Sequence, residues 1–174
     1  MAGFTERMIG AATLDVRSYE EVEHDQNATG QAAGVVALVA VAGAVGSIGY
    51  GGFGVVGALL AAFVGWAIWS AVTLVIGTKV FDGTADMGEM LRTLGFAQAP
   101  GVLYVLGLLP VVGWFVRPVI GIWMLVCGVV AVRQALDFTT GKAIGTVLIG
   151  WLCYVVVGMV LAGITGIFSA LGGM

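Results

Sequence analysis

Five long apolar runs, divided by short polar breaks or by glycine and proline, set the pattern of this chain. They cover about 28–48, 53–77, 93–113, 118–137 and 142–168. Each is near or above the ~20 residues that an α-helix needs to cross a bilayer. The pattern predicts an all-α integral membrane bundle of five transmembrane helices, preceded by a short amphipathic N-terminal segment. A tight turn at Gly49-Tyr50-Gly51-Gly52 is expected to join the first pair of helices, and the stretch Gly113 to Pro118 the second pair. Ahead of the runs, Phe4, Met8 and Ala11 or Ala12 fall on one helical face, which suits either a helix lying among lipid headgroups or a frayed end. Ser18 followed by Glu21 has the spacing of a capping box and predicts a helix from Tyr19, with Tyr19 and Val22 on a common face.

The interruption at 78–101 is the richest in polar groups. It holds Lys79, Asp82, Asp86, Glu89 and Arg92, five of the seventeen charged residues. Asp86 and Glu89 are spaced to cap a helix starting near Met87. Glu89 and Arg92, three apart on that helix, are expected to pair. The helix then runs into apolar sequence through Gly95, Phe96, Gln98 and Pro100. Proline has no N–H, so the carbonyl of Phe96 loses its helical partner, and in lipid it must find another. Gln98 or a neighbouring helix could supply the donor. The kink expected here suits a hinge, a niche for a headgroup or a packing notch.

Composition moves the whole chain into lipid. Hydrophobic residues make up 60% of it and charged residues 10%, against about 25% charged in an average soluble domain. Mean hydropathy is +1.07. The 29 glycines sit inside apolar runs, as in packed membrane helices. Two small-residue faces stand out at a spacing of four: Gly57, Ala61 and Gly65, and then Gly158, Ala162 and Gly166. They predict close helix contact, within the chain or between copies in a homo-oligomer or a larger membrane complex. Trp66 and Trp69 are expected to fill the space opposite such faces.

Charge supplies the orientation. Six of the seven basic residues and all ten acidic ones fall on one side of the expected topology; Arg117 alone lies on the other. The positive-inside rule then places the N-terminus in the cytoplasm and the C-terminus outside. Arg133 and Asp137, four apart, are expected to pair at a helix end. No carboxylate or lysine falls in the middle of a run, as a proton or ion path would require. No nucleophile–base pair, metal-ligand cluster or phosphate-binding glycine loop is present, so no catalytic residue, metal or cofactor is expected. The acidic balance argues against nucleic acid as a partner.

Phe81-Asp82-Gly83-Thr84, then Leu94-Gly95-Phe96-Ala97 and Pro100, together with Tyr19-Glu20-Glu21-Val22 and the five-run layout, resemble the Yip domain family (Ypt-interacting proteins and their bacterial relatives). Phe96 stands where the family's glycine–tyrosine tract carries tyrosine, so a phenol hydroxyl is lost. The resemblance covers roughly 15–168 and implies a compact prokaryotic-type member. The link of eukaryotic members to small GTPases is not expected to transfer. The expected role is non-enzymatic: a scaffold that docks a protein partner or organises lipid through its cytoplasmic loops. The alternatives are a permeation element for a small solute or lipid, and an accessory subunit of a larger complex.

Overall fold

Two short helices, α1 (Phe4–Ala12) and α2 (Val16–His24), lead into α3 (Ala28–Gly46) and α4 (Val55–Val80). Next come α5 (Met87–Phe96), a 3-10 helix over Ala99–Leu108, α6 (Pro110–Ala135) and α7 (Thr140–Gly172). This computed structural model describes residues 2–48 and 54–172, except the side chains of 110, 154, 157, 158 and 160–172. The expected turn at 49–52 and the face Gly158, Ala162, Gly166 lie outside that description. The described residues are all-helical, without a strand. Among the described residues, three helices, Ala28–Gly46, Val55–Val80 and the Val111–Ala135 part of α6, are long and apolar enough to cross a membrane; Ala99–Leu108 and Thr140–Cys153 are shorter apolar segments.

The expected third and fourth runs are divided differently. Residues 93–113 are not one helix, and 113–118 is not a loop. The break falls at Leu109, whose extended backbone (φ −89°, ψ 110°) separates the 3-10 helix from α6. Pro110 causes it. A residue before proline is pushed out of the α region, while proline itself suits the first turn of the next helix. Pro118 then sits inside α6. Pro100 falls in the first turn of the 3-10 helix, where no intrahelical N–H is needed, so it starts a segment rather than kinking one.

Glycines set how that segment packs. A Cβ on Gly95 would meet Ala32 Cβ at 2.7 Å, one on Gly101 would meet Val39 Cγ1 at 2.6 Å, and one on Gly107 would meet the Gly46 carbonyl oxygen at 2.6 Å. The partners climb α3 in the same order, so α5 and the 3-10 helix run parallel to α3 along its length. Gly101 and Gly107, six apart, share a face because a 3-10 helix has three residues per turn.

The N-terminal helices are docked on the bundle, not spread on a headgroup layer. Phe4 meets Phe96 with ring centroids 6.5 Å apart, and Ala11 is buried. The Trp123 indole N–H donates to the Ala12 carbonyl at 2.8 Å. Tyr19 and Val22 are buried, and the Tyr19 hydroxyl donates to the Ala11 carbonyl at 3.0 Å. Helix α2 starts at Val16, earlier than the Ser18/Glu21 pattern predicts, because Asp15 is the cap and accepts from the Arg17 N–H.

Candidate functional site

Two features of the fold carry chemistry: a charged cap at one end, built by α1, α2, α5 and the ends of α4 and α6, and a cavity among the apolar helices.

In the cap, α5 begins where the pattern places it. The Glu89 N–H donates to Asp86 Oδ1 and the Asp86 N–H donates to Glu89 Oε2, both at 2.8 Å. Glu89 is therefore occupied as a cap and does not meet Arg92. Arg92 turns to α2 instead. Its Nε donates to the carbonyls of Val22 and Glu23, each at 3.0 Å, and its Nη2 donates to the Glu23 carbonyl at 2.5 Å. These carbonyls belong to the last turn of α2, where a helix leaves acceptors unfilled and its dipole favours a cation. Arg92 is buried and fastens α2 to α5.

Arg7 is the second buried cation, at 2% exposure. Its Nη2 lies 2.7 Å from Glu21 Oε1 and 2.8 Å from Asp25 Oδ2, and its Nη1 donates to Gln31 Oε1 at 3.1 Å. The bond to Arg7 holds the Glu21 and Asp25 carboxyls below their ordinary range. Neither Arg7 nor Glu23 stood out in the sequence reading, although a signal existed. Arg7 lies on the stripe of Phe4, Met8 and Ala11, and Glu23 adjoins the face of Tyr19 and Val22. A charge on a buried stripe marks a partner inside. Burial pushes the Glu23 carboxyl up to about 7; His24 opposes the rise, and Glu89, Asp137 and Glu20 add to it.

The turn after α4 locks the cap to the other helix ends. Asp82 takes a left-handed backbone (φ 59°), and the Gly83 N–H returns to the Gly77 carbonyl at 3.0 Å. A Cβ on Gly83 would lie 2.6 Å from the Phe138 ring. Phe81 stacks edge-on with Phe138 at 6.3 Å, and its carbonyl accepts from Lys142 Nζ at 2.8 Å. Asp137 is likewise left-handed (φ 53°). It closes α6, with the Phe138 N–H on the Arg133 carbonyl at 2.9 Å and its own N–H on the Gln134 carbonyl at 3.0 Å, the two bonds of a Schellman motif. Arg133 Nε donates to Gln134 Oε1 at 3.0 Å rather than to Asp137. Six carboxylates are exposed, Glu6, Asp15, Glu20, Asp82, Asp86 and Asp137, against three exposed cations, Arg17, Lys79 and Lys142.

The cavity encloses about 650 Å³ between α4, α6, the start of α7 and the junction of α5 with the 3-10 helix. Its wall is mostly apolar and aromatic. Ala61, Gly65 and Trp66 of α4 line it, with Gln98, Tyr104 and Pro118. Ala61 and Gly65 thus border open space, while Gly57 is half-buried on the same helix. The Trp66 indole N–H donates to the Leu91 carbonyl at 3.0 Å. Gly95, Phe96 and Pro100 are buried beside the cavity wall, and Gln98 is the member of the 78–101 stretch whose polar side chain reaches the cavity.

The model of the Yip1 domain matches residues 18–169. The chain belongs to the Yip1 domain family. The match spans the α2–α5 clamp, the turn at Phe81–Gly83, the 3-10 helix and the cavity. Arg7 and α1 lie ahead of it. No curated protein and no solved structure matches the chain. With its apolar helices, this Yip1 domain is a multi-pass membrane protein.

Proposed function

We propose that this Yip1 protein is a non-enzymatic scaffold of a bacterial inner membrane that docks a protein partner with a basic surface on its capped, cytoplasmic end. The observation that carries the reading is the fate of the arginines. Arg7 and Arg92, two of the six basic residues at that end, are turned inward to hold α1, α2 and α5 together. The exposed rim is left with an excess of carboxylates, which repels anionic headgroups and favours a cationic protein surface.

In this reading the chain crosses the membrane five times. Beyond Arg92, the last four residues of α5 and the ten of the 3-10 helix rise about 26 Å at 1.5 and 2.0 Å per residue, close to a hydrocarbon core of about 30 Å. They run parallel to α3, so α3, α4, the α5/3-10 pair, α6 and α7 alternate in direction, with the N-terminus inside and the C-terminus outside.

Removing Arg92 would be a poor test of docking, because it would release α2. The better variant is Glu20→Lys with Asp82→Asn and Asp137→Asn; asparagine tolerates the left-handed backbone at the last two. Proteins that co-purify with the wild type in mild detergent are expected to be lost from this variant while its melting temperature is kept. Undiminished co-purification sinks the docking reading. A C-terminal reporter active only in the cytoplasm sinks the orientation.

A further inference from the structure

We propose that the cavity between α4, α6 and the 3-10 helix is a binding site for one acyl chain of a bilayer phospholipid, with the chain's ester carbonyl hydrogen-bonded by the Gln98 amide. Its volume of about 650 Å³ lies within the roughly 300–1,000 Å³ of ligand pockets, and its character is theirs too: apolar walls and a few converging polar groups. Among the described residues, neither the Gln98 amide nor the Tyr104 hydroxyl has a hydrogen-bond partner in the protein. Both line the cavity at an apolar level of the bundle. In lipid an unpaired amide costs several kcal/mol, so the arrangement calls for an occupant that brings an acceptor and is otherwise hydrocarbon. A phospholipid tail has this form, with one ester group at the head of a long apolar chain. A soluble polar ligand would leave the tryptophan and aliphatic walls poorly matched, and the cavity holds no charged side chain for an ionic head.

The cavity is also kept open by residue choice. A Cβ on Gly128 would meet nothing within 4 Å, and one on Gly121 would first meet the Tyr104 hydroxyl at 3.8 Å. Both glycines line the space, and neither is required by a close contact, unlike Gly101 and Gly107. Larger residues would fit sterically and would fill it.

The test uses the full chain in detergent, titrated with phosphatidylcholine brominated on its acyl chains and followed by tryptophan fluorescence. Bromine quenches on contact, and Trp66, Trp69 and Trp151 line the cavity. The wild type is expected to show saturable quenching and, by native mass spectrometry, one retained lipid per chain. Gly128→Leu and Gly121→Leu should melt as the wild type does and lose the saturable phase. Gln98→Leu should weaken binding about tenfold, the worth of one hydrogen bond. Unsaturable quenching in the wild type, or unchanged saturation in the filled variants, overturns the proposal. So does a dimeric wild type that the filled variants make monomeric, since the occupant would then be a second copy. None of these substitutions touches the acidic rim, so this result and the docking result can fail separately.

Discussion

Replacing Arg92 by methionine is the sharpest test of how the cap is held. The side chain keeps the unbranched apolar stem and loses the guanidinium with its donors. Three hydrogen bonds to the carbonyls of Val22 and Glu23 disappear, and the site is buried, so water does not fully replace them. A hydrogen bond to a charged group is worth about 1.5–3 kcal/mol, and an abandoned buried acceptor costs about 1–3 kcal/mol. Against this, the variant no longer has to desolvate a guanidinium. The net loss should be about 3 kcal/mol, read as unfolding free energy in mixed detergent and as faster proteolysis between α1 and α3. Arg92→Lys, which keeps the charge but not the fork, should recover about half. The cost should be the same in a Glu89→Gln background, because Glu89 bonds the Asp86 N–H and not the guanidinium. A loss under 0.5 kcal/mol refutes the clamp. A loss that vanishes once Glu89 is neutralised refutes the geometry and restores a Glu89–Arg92 pair.

Glu23 makes stability fall on the alkaline side. Its carboxyl is raised from 4.5 to about 7 in the folded state, so the folded protein holds the proton more tightly than the unfolded chain does. Ionisation begins to cost stability above pH 4.5, and the full cost is reached above pH 7; Glu23→Gln should remove it and gain about 2–3 kcal/mol at pH 8, with little gain at pH 4.5. A pH profile parallel to wild type would count against that burial. Arg7 acts at the other end: it lowers Glu21 and Asp25, so its stabilisation is present above their unfolded values and is lost as pH falls through their folded ones. Arg7→Met should flatten the acid limb of the melting curve, and an unchanged limb would contradict the ion pairs. Leu14 has a left-handed backbone (φ 65°) at the close of α1, where the Asp15 N–H returns to the Gly10 carbonyl at 2.9 Å. Leu14→Gly should stabilise by about 0.5–1 kcal/mol, strain relief of about 1–2 kcal/mol being partly offset by unfolded-chain entropy; a loss of stability would show that the leucine side chain matters more than its backbone.

The apolar runs made the helical membrane character legible because lipid imposes a strong rule on composition and length. The Asp86/Glu89 cap was equally plain, since its signal is local. What the sequence hid was long-range. The carbonyls that Arg92 serves lie some seventy residues away, and no local spacing announces them. Asp137 looked like half of an i, i+4 pair, yet it lies past the end of α6, where that geometry no longer holds. The 3-10 helix was hidden because hydropathy is blind to the difference between three and 3.6 residues per turn when every residue is apolar. The spacing of Gly95, Gly101 and Gly107 carried the information, but only beside the known path of α3.

That same 3-10 helix links the fold to the cavity. Runs of 3-10 helix beyond three or four residues are uncommon and often mark functional or strained places; this one has ten. Pro100 and Pro110 fix its two ends, and Gly101 and Gly107 press one of its faces against α3, where a wider α-helical turn with side chains would not fit. A 3-10 helix is narrower and longer for its residue count than an α-helix. This one packs against α3 and α6, and the space lined by Gln98, Tyr104 and Gly65 opens on its side toward α4. Refilling that space from the α6 side should leave the tight seam with α3 intact.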